Sequence, residues 1–417
     1  MKVIPLAGEQ AEIVGKETSA GTAGIIAVAL AGVGANLNLY APQPLLPMLS
    51  THFAASKAAV GMTVSATTLG VALTAPLWGM LAERVGRRRV IVAAMFLLTL
   101  PTLLASTAGS LPVLVFWRFL QGVVMPGIFG VTIAYVSEEW HSGRVAAVMS
   151  FYVSGSVLGG FFGRMITGYA ASHALFPGLV AGWHGGFLVL GICDLSVAVL
   201  LAYLLPGDRR RLSTARGGDS PTGVFRVLRN PQMMATCAVG FTVLFSLVAT
   251  FTYVTFHLAA PPYSLSAARL SELFVVYLVG AATTPIAGRW IVRVGSRRAL
   301  LTAVLVAMFG VLLTLAGSLP FILLGLVICS AAVFVCQSAS TSYIHKAAPA
   351  GGRSSAAGLY VSCYYIGGSV AGVLPGLLWG YGGWTACVLL VLGVQALTML
   401  IAGLAWEDNG RRAVNRI

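Results

Sequence analysis

Twelve stretches of about twenty mostly apolar residues follow one another along this 417-residue chain. A bilayer core of ~30 Å requires ~20 such residues per helical crossing. With 58% hydrophobic and only 9% charged residues, the chain is unsuited to a surface that faces water alone. The sequence therefore predicts an all-α membrane protein with twelve transmembrane helices. The predicted segments are 22–46, 57–80, 89–108, 112–137, 144–170, 183–205, 231–257, 268–292, 299–317, 320–345, 354–379 and 384–405.

An internal repeat has an offset close to half the length of the chain. The stretch PLWGMLAERVGRRRV begins at Pro76, and PIAGRWIVRVGSRRAL begins 209 residues later at Pro285. YVSGSVLG from Tyr152 returns as YIGGSVAG from Tyr365, and AGSLP occurs twice, 208 residues apart. Repeats on the scale of membrane segments are typical of transporters built from two halves. We therefore predict two pseudo-symmetric six-helix bundles.

The apolar segments and the repeat divide the chain into five parts. We predict a cytoplasmic tail over 1–20, bundles over 21–205 and 231–405, a linker over 206–230 and a cytoplasmic tail over 406–417. The linker contains glycines, serines and several arginines, a composition that favours a solvated connection.

The net charge of +14 would suggest nucleic-acid binding in a soluble protein, but the placement of the charges indicates another cause. If the amino terminus is cytoplasmic, 22 of the 26 basic residues fall in cytoplasmic segments. Lys57 and Arg269 fall outside, and Arg118 and Arg164 lie within helices. The positive-inside rule then predicts a multi-pass protein of the cell inner membrane with both termini cytoplasmic. We expect the lipid bilayer as a partner, no nucleic acid, and a monomer.

The loop after the second segment carries a spaced motif. GMLAERVGRRRVI, from Gly79, resembles the cytoplasmic signature of the major facilitator superfamily, G-x-L-a-D-r-x-G-r-k, with Glu83 in place of the aspartate. We expect Gly79 to let two helices approach closely and Gly86 to permit the turn. Glu83 is suited to pair with Arg87 or to accept hydrogen bonds from a facing helix terminus.

Other charged residues join this loop in a predicted conformational gate. Glu138 and Arg144 follow the fourth segment, near enough in topology to meet the motif. The hypothesis is a charge network that locks the cytoplasmic ends of the second, fourth and fifth helices. The alternative is that the arginines only set topology, which suits Arg88 and Arg89 best. The predicted gate residues are Gly79, Glu83, Gly86, Arg87, Glu138 and Arg144.

The fourth segment places an arginine well inside the membrane. Leu114, Arg118, Gln121 and Gly122 resemble the L-x-x-x-R-x-x-q-G pattern of the same superfamily, notably of its drug:proton antiporters. A guanidinium at that depth costs several kcal/mol unless it faces protein or water. Arg118 is therefore predicted to be functional or paired.

Asp194 is the only one of the 12 acidic residues that we predict near the bilayer midplane. A carboxyl group that moves between an apolar environment and one containing an arginine can take up and release a proton. Asp194 is the candidate proton carrier, with Arg118 as its electrostatic modulator. The alternative is a permanent structural pair with Arg118 or Arg164.

Glycines recur in the fifth and eleventh segments at the spacing of close helix packing. The fifth segment resembles the antiporter motif g-x-x-x-G-P-x-x-G-G, but Gly160 replaces the proline and Arg164 replaces the last glycine, which weakens the antiporter reading. The predicted packing positions are Gly155, Gly159, Gly163, Gly368 and Gly372.

Polar and aromatic side chains suggest a solute path. Asn36, Tyr40 and Gln43 follow i, i+4, i+7 spacing and would share one face of a continuous helix. The alternative is that they bond to neighbouring helices. In the resembled fold, the first, fourth, seventh and tenth helices line the central cavity. The predicted solute-binding residues are Asn36, Tyr40, Gln43, Arg118, Phe245, Tyr253, Gln337 and Tyr364.

The resemblance spans nearly the whole chain. In the N-L-Y-x-x-Q-P-L-L-P run from Asn38 it is most similar to bacterial inner-membrane permeases grouped as sugar-efflux (arabinose-efflux-like) or drug-efflux proteins. This resemblance implies alternating access between two bundles. The leading hypothesis is proton-coupled efflux of a small amphipathic or polyhydroxylated organic solute.

Three alternatives remain open. Arg118 and Arg164 would also suit an organic anion, and uptake by symport or facilitated diffusion would use the same motifs. A soft-metal path would use Met233, Met234, Cys237 and His257, although His257 lies far along its helix from the others.

No nucleophile, base and oxyanion set, metal-ligand cluster or phosphate-binding loop is apparent in the sequence. We therefore expect neither an enzyme nor a cofactor.

Overall fold

The computed structural model describes residues 7–140, 142–173, 182–207, 226–349 and 353–407, with side chains described from residue 21 onward except at 142, 143, 281, 353 and 354. The described part is almost entirely helical and contains no β-strand. Most of the predicted linker and of the carboxy-terminal tail lies outside these ranges. The helices are α1 (Ala7–Leu37), α2 (Leu46–His52), α3 (Lys57–Val85), α4 (Arg87–Ala105), α5 (Leu111–Val124), α6 (Pro126–Glu139), α7 (Ser142–Ser172), α8 (Trp183–Leu204), α9 (Pro231–Ala259), α10 (Ala267–Glu272), α11 (Val276–Val294), α12 (Ser296–Leu313), α13 (Leu319–Ala347) and α14 (Arg353–Ala405).

These helices provide twelve crossings in the described part of the chain. Ten helical spans are long and apolar enough to cross a membrane, and the apolar end of α1, Gly21–Leu37, adds a shorter one. The last span belongs to α14, whose 53 residues would extend about 80 Å at the helical rise. Its helical geometry breaks at Gly382 and Gly383, so α14 crosses twice.

The first helix ends earlier than the sequence pattern predicts. α1 stops at Leu37, and Gln43 lies in a separate 3₁₀ turn, Gln43–Leu45. A helix continuing through Pro42 would bring the proline ring against the carbonyl four residues earlier, at Asn38. The predicted common helix face of Asn36, Tyr40 and Gln43 is therefore wrong.

Three glycines on α7 bring its backbone against that of α1. At each of them an added Cβ would lie 1.8 to 2.2 Å from a carbonyl oxygen of α1, a distance at which the two atoms would clash. The pairs, in order, are Gly155 with Ala29, Gly159 with Val33 and Gly163 with Leu37. The spacing of four residues matches one helical turn, so the two helices stay in contact over three turns.

The corresponding glycines of α14 pack differently. A Cβ at Gly368 would meet the Leu244 side chain of α9 at 2.8 Å. At Gly372 it would meet the Ser65 hydroxyl of α3 at 2.2 Å. The first half of the molecule comprises α1–α8 and the second half α9–α14. Gly372 therefore packs across the boundary between the two halves, whereas the glycines of α7 pack within the first half.

Two turns with basic side chains define one side of the membrane, called here the arginine side. They join α3 to α4 at Gly86 and α11 to α12 at Gly295, with φ of 103° and 88°, where glycine is favoured. Arg88 donates to the carbonyls of Ala202 and Leu205 at 2.7 Å, at the end of α8. In the second turn Arg297 donates to the carbonyl of Gly403 near the end of α14. These arginines therefore cap helix ends in addition to their effect on topology.

The two halves contact each other toward the opposite membrane side, called here the far side. Ser369 Oγ on α14 donates to the Ser65 carbonyl on α3 at 3.0 Å, and Ser65 Oγ donates back to the Ser369 carbonyl. A second contact joins α7 to α10, where the Tyr169 hydroxyl donates to Glu272. Both contacts cross the boundary between the bundles, so the far side is closed.

Toward the arginine side the glycines of α3 and α14 have open surroundings. The hydrogen bond from Ser362 Oγ to the Ala72 carbonyl, at 3.0 Å, lies near the middle of α3. Beyond it, a Cβ at Gly79 or at Gly358 would meet no described atom within 4 Å. The predicted close approach of two helices at Gly79 is not found in this structure.

Candidate functional site

Asp194 lies in the middle of α8 and is fully buried. Both of its carboxylate oxygens accept hydrogen bonds from Asn38 Nδ2, at 2.9 and 2.8 Å. Neither Arg118 nor Arg164 bonds directly to Asp194, so the alternative of a direct arginine pair does not hold in this structure. Sequence reasoning missed Asn38 because it followed the helical spacing of Asn36, which the early end of α1 interrupts.

A chain of hydrogen bonds connects Asp194 to Arg118. The Asn38 side-chain oxygen lies 3.2 Å from Thr102 Oγ1, and Thr102 in turn accepts from Gln121 Nε2 at 2.9 Å. Gln121 Oε1 accepts from Arg118 Nη1. The chain thus runs from α8 through the end of α1 and α4 to α5, and every side chain in it is buried.

Arg118 is fully buried and uses all three of its nitrogens. Besides the bond to Gln121, Nε donates to the Thr63 carbonyl and Nη2 to the Leu39 carbonyl, each at 3.0 Å. Arg118 and Asp194 also attract each other electrostatically. A buried cation and a buried carboxylate in one hydrogen-bonded chain offset part of each other's desolvation cost.

Arg164 forms a second buried cluster, at the boundary between the two halves. It is 1% exposed on α7, and its Nε donates to Gln43 Oε1 at 2.8 Å. Its Cζ lies 4.6 Å from the ring centres of Phe274 and Tyr277 and 5.2 Å from that of Tyr40. Phe274 and Tyr277 belong to the second half, so the cluster contains residues of both bundles.

Gln43 extends this cluster toward α9. Its Nε2 donates to Thr252 Oγ1 at 2.9 Å, while its Oε1 accepts from Arg164. Two polar atoms of the cluster are buried without a hydrogen-bond partner, Arg164 Nη2 and the Tyr40 hydroxyl oxygen. The neighbouring guanidinium nitrogen, Nη1, donates to the carbonyl of Gly160 on its own helix.

The other predicted solute-binding residues lie in several places. Asn36 Nδ2 donates to the Gly32 carbonyl of its own helix at 3.3 Å. The Tyr253 hydroxyl donates to the Gly372 carbonyl at 2.6 Å, which joins α9 to α14. Gln337 on α13 is partly buried.

Two aromatic residues of the predicted solute path lie in ring clusters. Phe245 stacks on Phe241 along α9, with ring centres 6.4 Å apart. Tyr364 stacks on Tyr360, with ring centres 6.0 Å apart, and lies near Tyr40. Tyr364 therefore lies beside the Arg164 cluster, whereas Phe245 and Tyr253 are fully buried among helices.

The predicted gate residues are brought together only in part. Arg87 donates to both carboxylate oxygens of Glu138, which ties the start of α4 to the end of α6. Glu83 is exposed and forms no ion pair with any described residue, so its predicted pair with Arg87 is absent here. Arg144 is exposed on α7.

The soft-metal alternative gains no support from the described residues. They contain no group of three or more histidine, cysteine, aspartate or glutamate side chains placed to hold a metal ion. His257 stacks against Trp384, with ring centres 5.8 Å apart.

The family model for the Major Facilitator Superfamily matches residues 28–369 and 262–416, which together span most of the chain. The chain belongs to the major facilitator superfamily. This confirms the family resemblance and the predicted fold class of a twelve-helix, two-bundle membrane protein. A superfamily member is a multi-pass membrane transporter, so the prediction of a transporter is confirmed at that level.

Relatives with this fold are found among transporters. The inner membrane transport protein YnfM of Escherichia coli is 30% identical, over 90% of this chain and 88% of its own. An uncharacterized transporter of Buchnera aphidicola is 27% identical, over 91% and 90% of the two chains. The solved structure of a bacterial homologue of the human lysosomal transporter Spinster has a TM-score of 0.72 at 16% identity, covering 91% of this chain and 94% of that one.

Proposed function

We propose that this superfamily member is a proton-coupled secondary transporter that exports a small organic solute across the cell inner membrane. The observation that carries the proposal is the buried hydrogen-bonded chain from Asp194 to Arg118. Asp194 is the proton carrier. Arg118 is the buried cation whose hydrogen bonds change when Asp194 gains or loses its proton. Neither a cofactor nor an enzymatic step is involved, and the monomer is the working unit.

The chain couples proton binding to helix position. Protonation adds an O–H donor to one oxygen of Asp194 and weakens that oxygen as an acceptor, so its hydrogen bond from the Asn38 amide weakens and the new donor needs an acceptor. The change passes through Thr102 and Gln121 to Arg118. Arg118 also holds the Thr63 carbonyl of α3, the helix that packs across the boundary on α14. Proton uptake at Asp194 thus changes the hydrogen bonds that position α3, and α3 forms part of the far-side contact between the halves.

The contacts between the halves on the far side, together with the open surroundings of Gly79 and Gly358, favour a state that admits solute from the arginine side. The positive-inside rule assigns the arginine side, and with it both termini, to the cytoplasm. Solute then enters from the cytoplasm and contacts Asn36, Tyr40, Gln337 and Tyr364. An amphipathic or polyhydroxylated molecule suits side chains that combine aromatic rings with hydrogen-bonding groups.

Proteoliposomes with an imposed pH gradient test this function. The probes are ethidium, arabinose and benzoate, which represent a cationic drug, a sugar and an organic anion. At least one should accumulate against its own gradient when protons are allowed to flow the opposite way, and a proton ionophore should abolish that accumulation. Accumulation that ignores the ionophore would exclude proton coupling, and accumulation with the proton flow would reverse the direction to symport.

A second substrate class, an organic anion, is favoured by one specific observation. Arg164 is buried at the boundary of the halves with a free Nη2, and no described carboxylate pairs with it.

A further inference from the structure

Arg164 is a buried cation without a counter-ion among the described residues. Its Nε and Nη1 donate to Gln43 and Gly160, both uncharged, and Nη2 is buried with no partner. The ionisable side chains near it are Tyr277 and Tyr40, and no aspartate or glutamate is among them. Arg118 differs, because all of its nitrogens are paired and Asp194 lies in its hydrogen-bonded chain. An unpaired guanidinium at this depth is costly unless an anion joins it.

Aromatic rings surround the Arg164 guanidinium. The rings of Tyr40, Phe274 and Tyr277 lie within 5.2 Å of Cζ, a distance at which ring faces attract a cation. Rings stabilise the positive charge but do not accept the in-plane hydrogen bonds of Nη2. A carboxylate oxygen can accept such a charge-assisted hydrogen bond from Nη2.

A second unsatisfied donor lies in the same cluster. The Tyr40 hydroxyl is buried and has no hydrogen-bond partner. A buried donor of this kind carries a desolvation cost that a bound acceptor would remove. The cluster therefore offers one charged and one neutral donor.

We propose that Arg164 and Tyr40 bind the carboxylate of a small aromatic organic anion. The inference rests on the proposed function only in that the solute enters between the two halves. The single unpaired guanidinium matches one negative charge. Tyr364 and Tyr365 lie near Tyr40 and add further rings against which a planar apolar body packs. An inorganic anion would gain nothing from those rings.

The position of the cluster links binding to the transport cycle. Arg164 and Tyr40 belong to the first half, and Phe274 and Tyr277 belong to the second half. One turn farther along α7 toward the far side, a Cβ at Gly168 would meet Ser271 at 2.5 Å, so the halves are tightly packed there. The site is complete only while this far-side contact holds. Opening the far side withdraws Phe274 and Tyr277 from Arg164 and releases the anion there.

Thermal unfolding of the purified full-length protein in detergent tests the site. The probes are benzoate and its neutral analogue benzamide, at equal concentrations and constant ionic strength. Benzoate should raise the melting temperature of the wild type in a saturable way, and benzamide should not. Arg164→Gln should abolish the benzoate shift. Arg289→Gln, a change at an exposed arginine of α11, should retain it.

Two milder variants keep the test decisive where Arg164→Gln fails to fold. Arg164→Lys preserves the charge, but one ammonium cannot donate to Gln43, Gly160 and a ligand in the geometry of the planar guanidinium, so it should weaken benzoate binding about tenfold or more. Tyr40→Phe removes only the hydroxyl and should weaken it by about tenfold. Equal benzoate shifts in the wild type and both variants, or equal shifts from benzoate and benzamide, would overturn the site.

The same measurement on Asp194→Asn separates this site from proton coupling. Benzoate should still stabilise that variant, because Asp194 does not contact the Arg164 cluster. If benzoate binds through Arg164 but no pH-driven accumulation occurs, the anion site stands and the proton coupling falls. If another probe accumulates with the pH gradient while benzoate does not bind, the coupling stands and the anion site falls.

Discussion

The side-chain nitrogen of Asn38 lies 2.9 and 2.8 Å from the two carboxylate oxygens of Asp194, so one amide serves both acceptors of the buried acid. Asn38 follows directly on the end of α1, and Asp194 lies in the middle of α8. Through Thr102 and Gln121 the same amide connects the acid to Arg118. A change of charge at Asp194 therefore cannot leave the surrounding helices unaffected.

Replacing Asn38 should destabilise the protein and disturb its pH response. Asn38→Leu leaves a buried carboxylate without its amide donor, a loss of about 1–3 kcal/mol for an unsatisfied group. We expect a lower melting temperature and a shifted pH profile of transport. The comparison variant is Asn36→Leu, which removes an amide assigned to the solute path and outside the Asp194 chain, so it should change the transport rate without shifting the pH profile. Similar pH profiles in the two variants would argue against a coupling role for Asn38.

The close packing of α7 on α1 should tolerate no side chain. Gly163→Ala places a Cβ 1.8 Å from the Leu37 carbonyl oxygen, so the helices must separate. Overpacking of this kind costs about 1–3 kcal/mol, which should appear as a reduced melting temperature and a lower yield of folded protein. Gly130→Ala on α6 meets no described atom within 4 Å and should be neutral or slightly stabilising. An unchanged melting temperature for Gly163→Ala would contradict the packing.

Cross-linking should distinguish the two ends of the boundary between the halves. In a background without the six native cysteines, Ser65→Cys with Ser369→Cys should form a disulfide readily and stop transport, because these serines exchange hydrogen bonds. Gly79→Cys with Gly358→Cys should cross-link only when the arginine side closes. Gel mobility after mild oxidation provides the measurement. Rapid cross-linking of the arginine-side pair in resting protein would contradict the open arginine side.

Glu83 should matter only in the state that is closed on the arginine side. The repeat places Val292 at the position of Glu83, so the second turn has no matching acid. Glu83→Gln should shift the population several-fold toward the arginine-side-open state, since an exposed ion pair contributes up to about 1 kcal/mol. Val292→Gln should have little effect. Labelling of a cysteine introduced at position 79 measures the shift in population. Equal labelling in the two variants would contradict a role for the Glu83 carboxylate in stabilising the state closed on the arginine side.

Some features of the molecule could be predicted from the sequence because they are local. Segment length indicates the crossings, and the spacing of Gly155, Gly159 and Gly163 indicates a close helix contact. The partner of Asp194 could not be predicted, because the end of α1 at Leu37 reorients the residues that follow it. Such a break depends on packing around Pro42 as well as on the proline itself.

The Arg164 cluster depends on contacts between distant parts of the chain. The sequence indicates a membrane-embedded arginine where the antiporter motif has glycine. The rings that surround it, from Phe274 and Tyr277, lie more than a hundred residues farther along the chain and belong to the other bundle. The open surroundings of Gly79 could not be predicted either, because they depend on which side of the membrane is closed.

The most direct test of the account compares Asp194→Asn with the wild type in proteoliposomes, using a transported probe from the panel. Counterflow, in which unlabelled probe inside drives entry of labelled probe, needs no proton gradient. Asp194→Asn should retain counterflow but fail to accumulate the probe when a pH gradient is imposed. Accumulation by Asp194→Asn against a gradient, at the wild-type rate and pH dependence, would contradict Asp194 as the proton carrier.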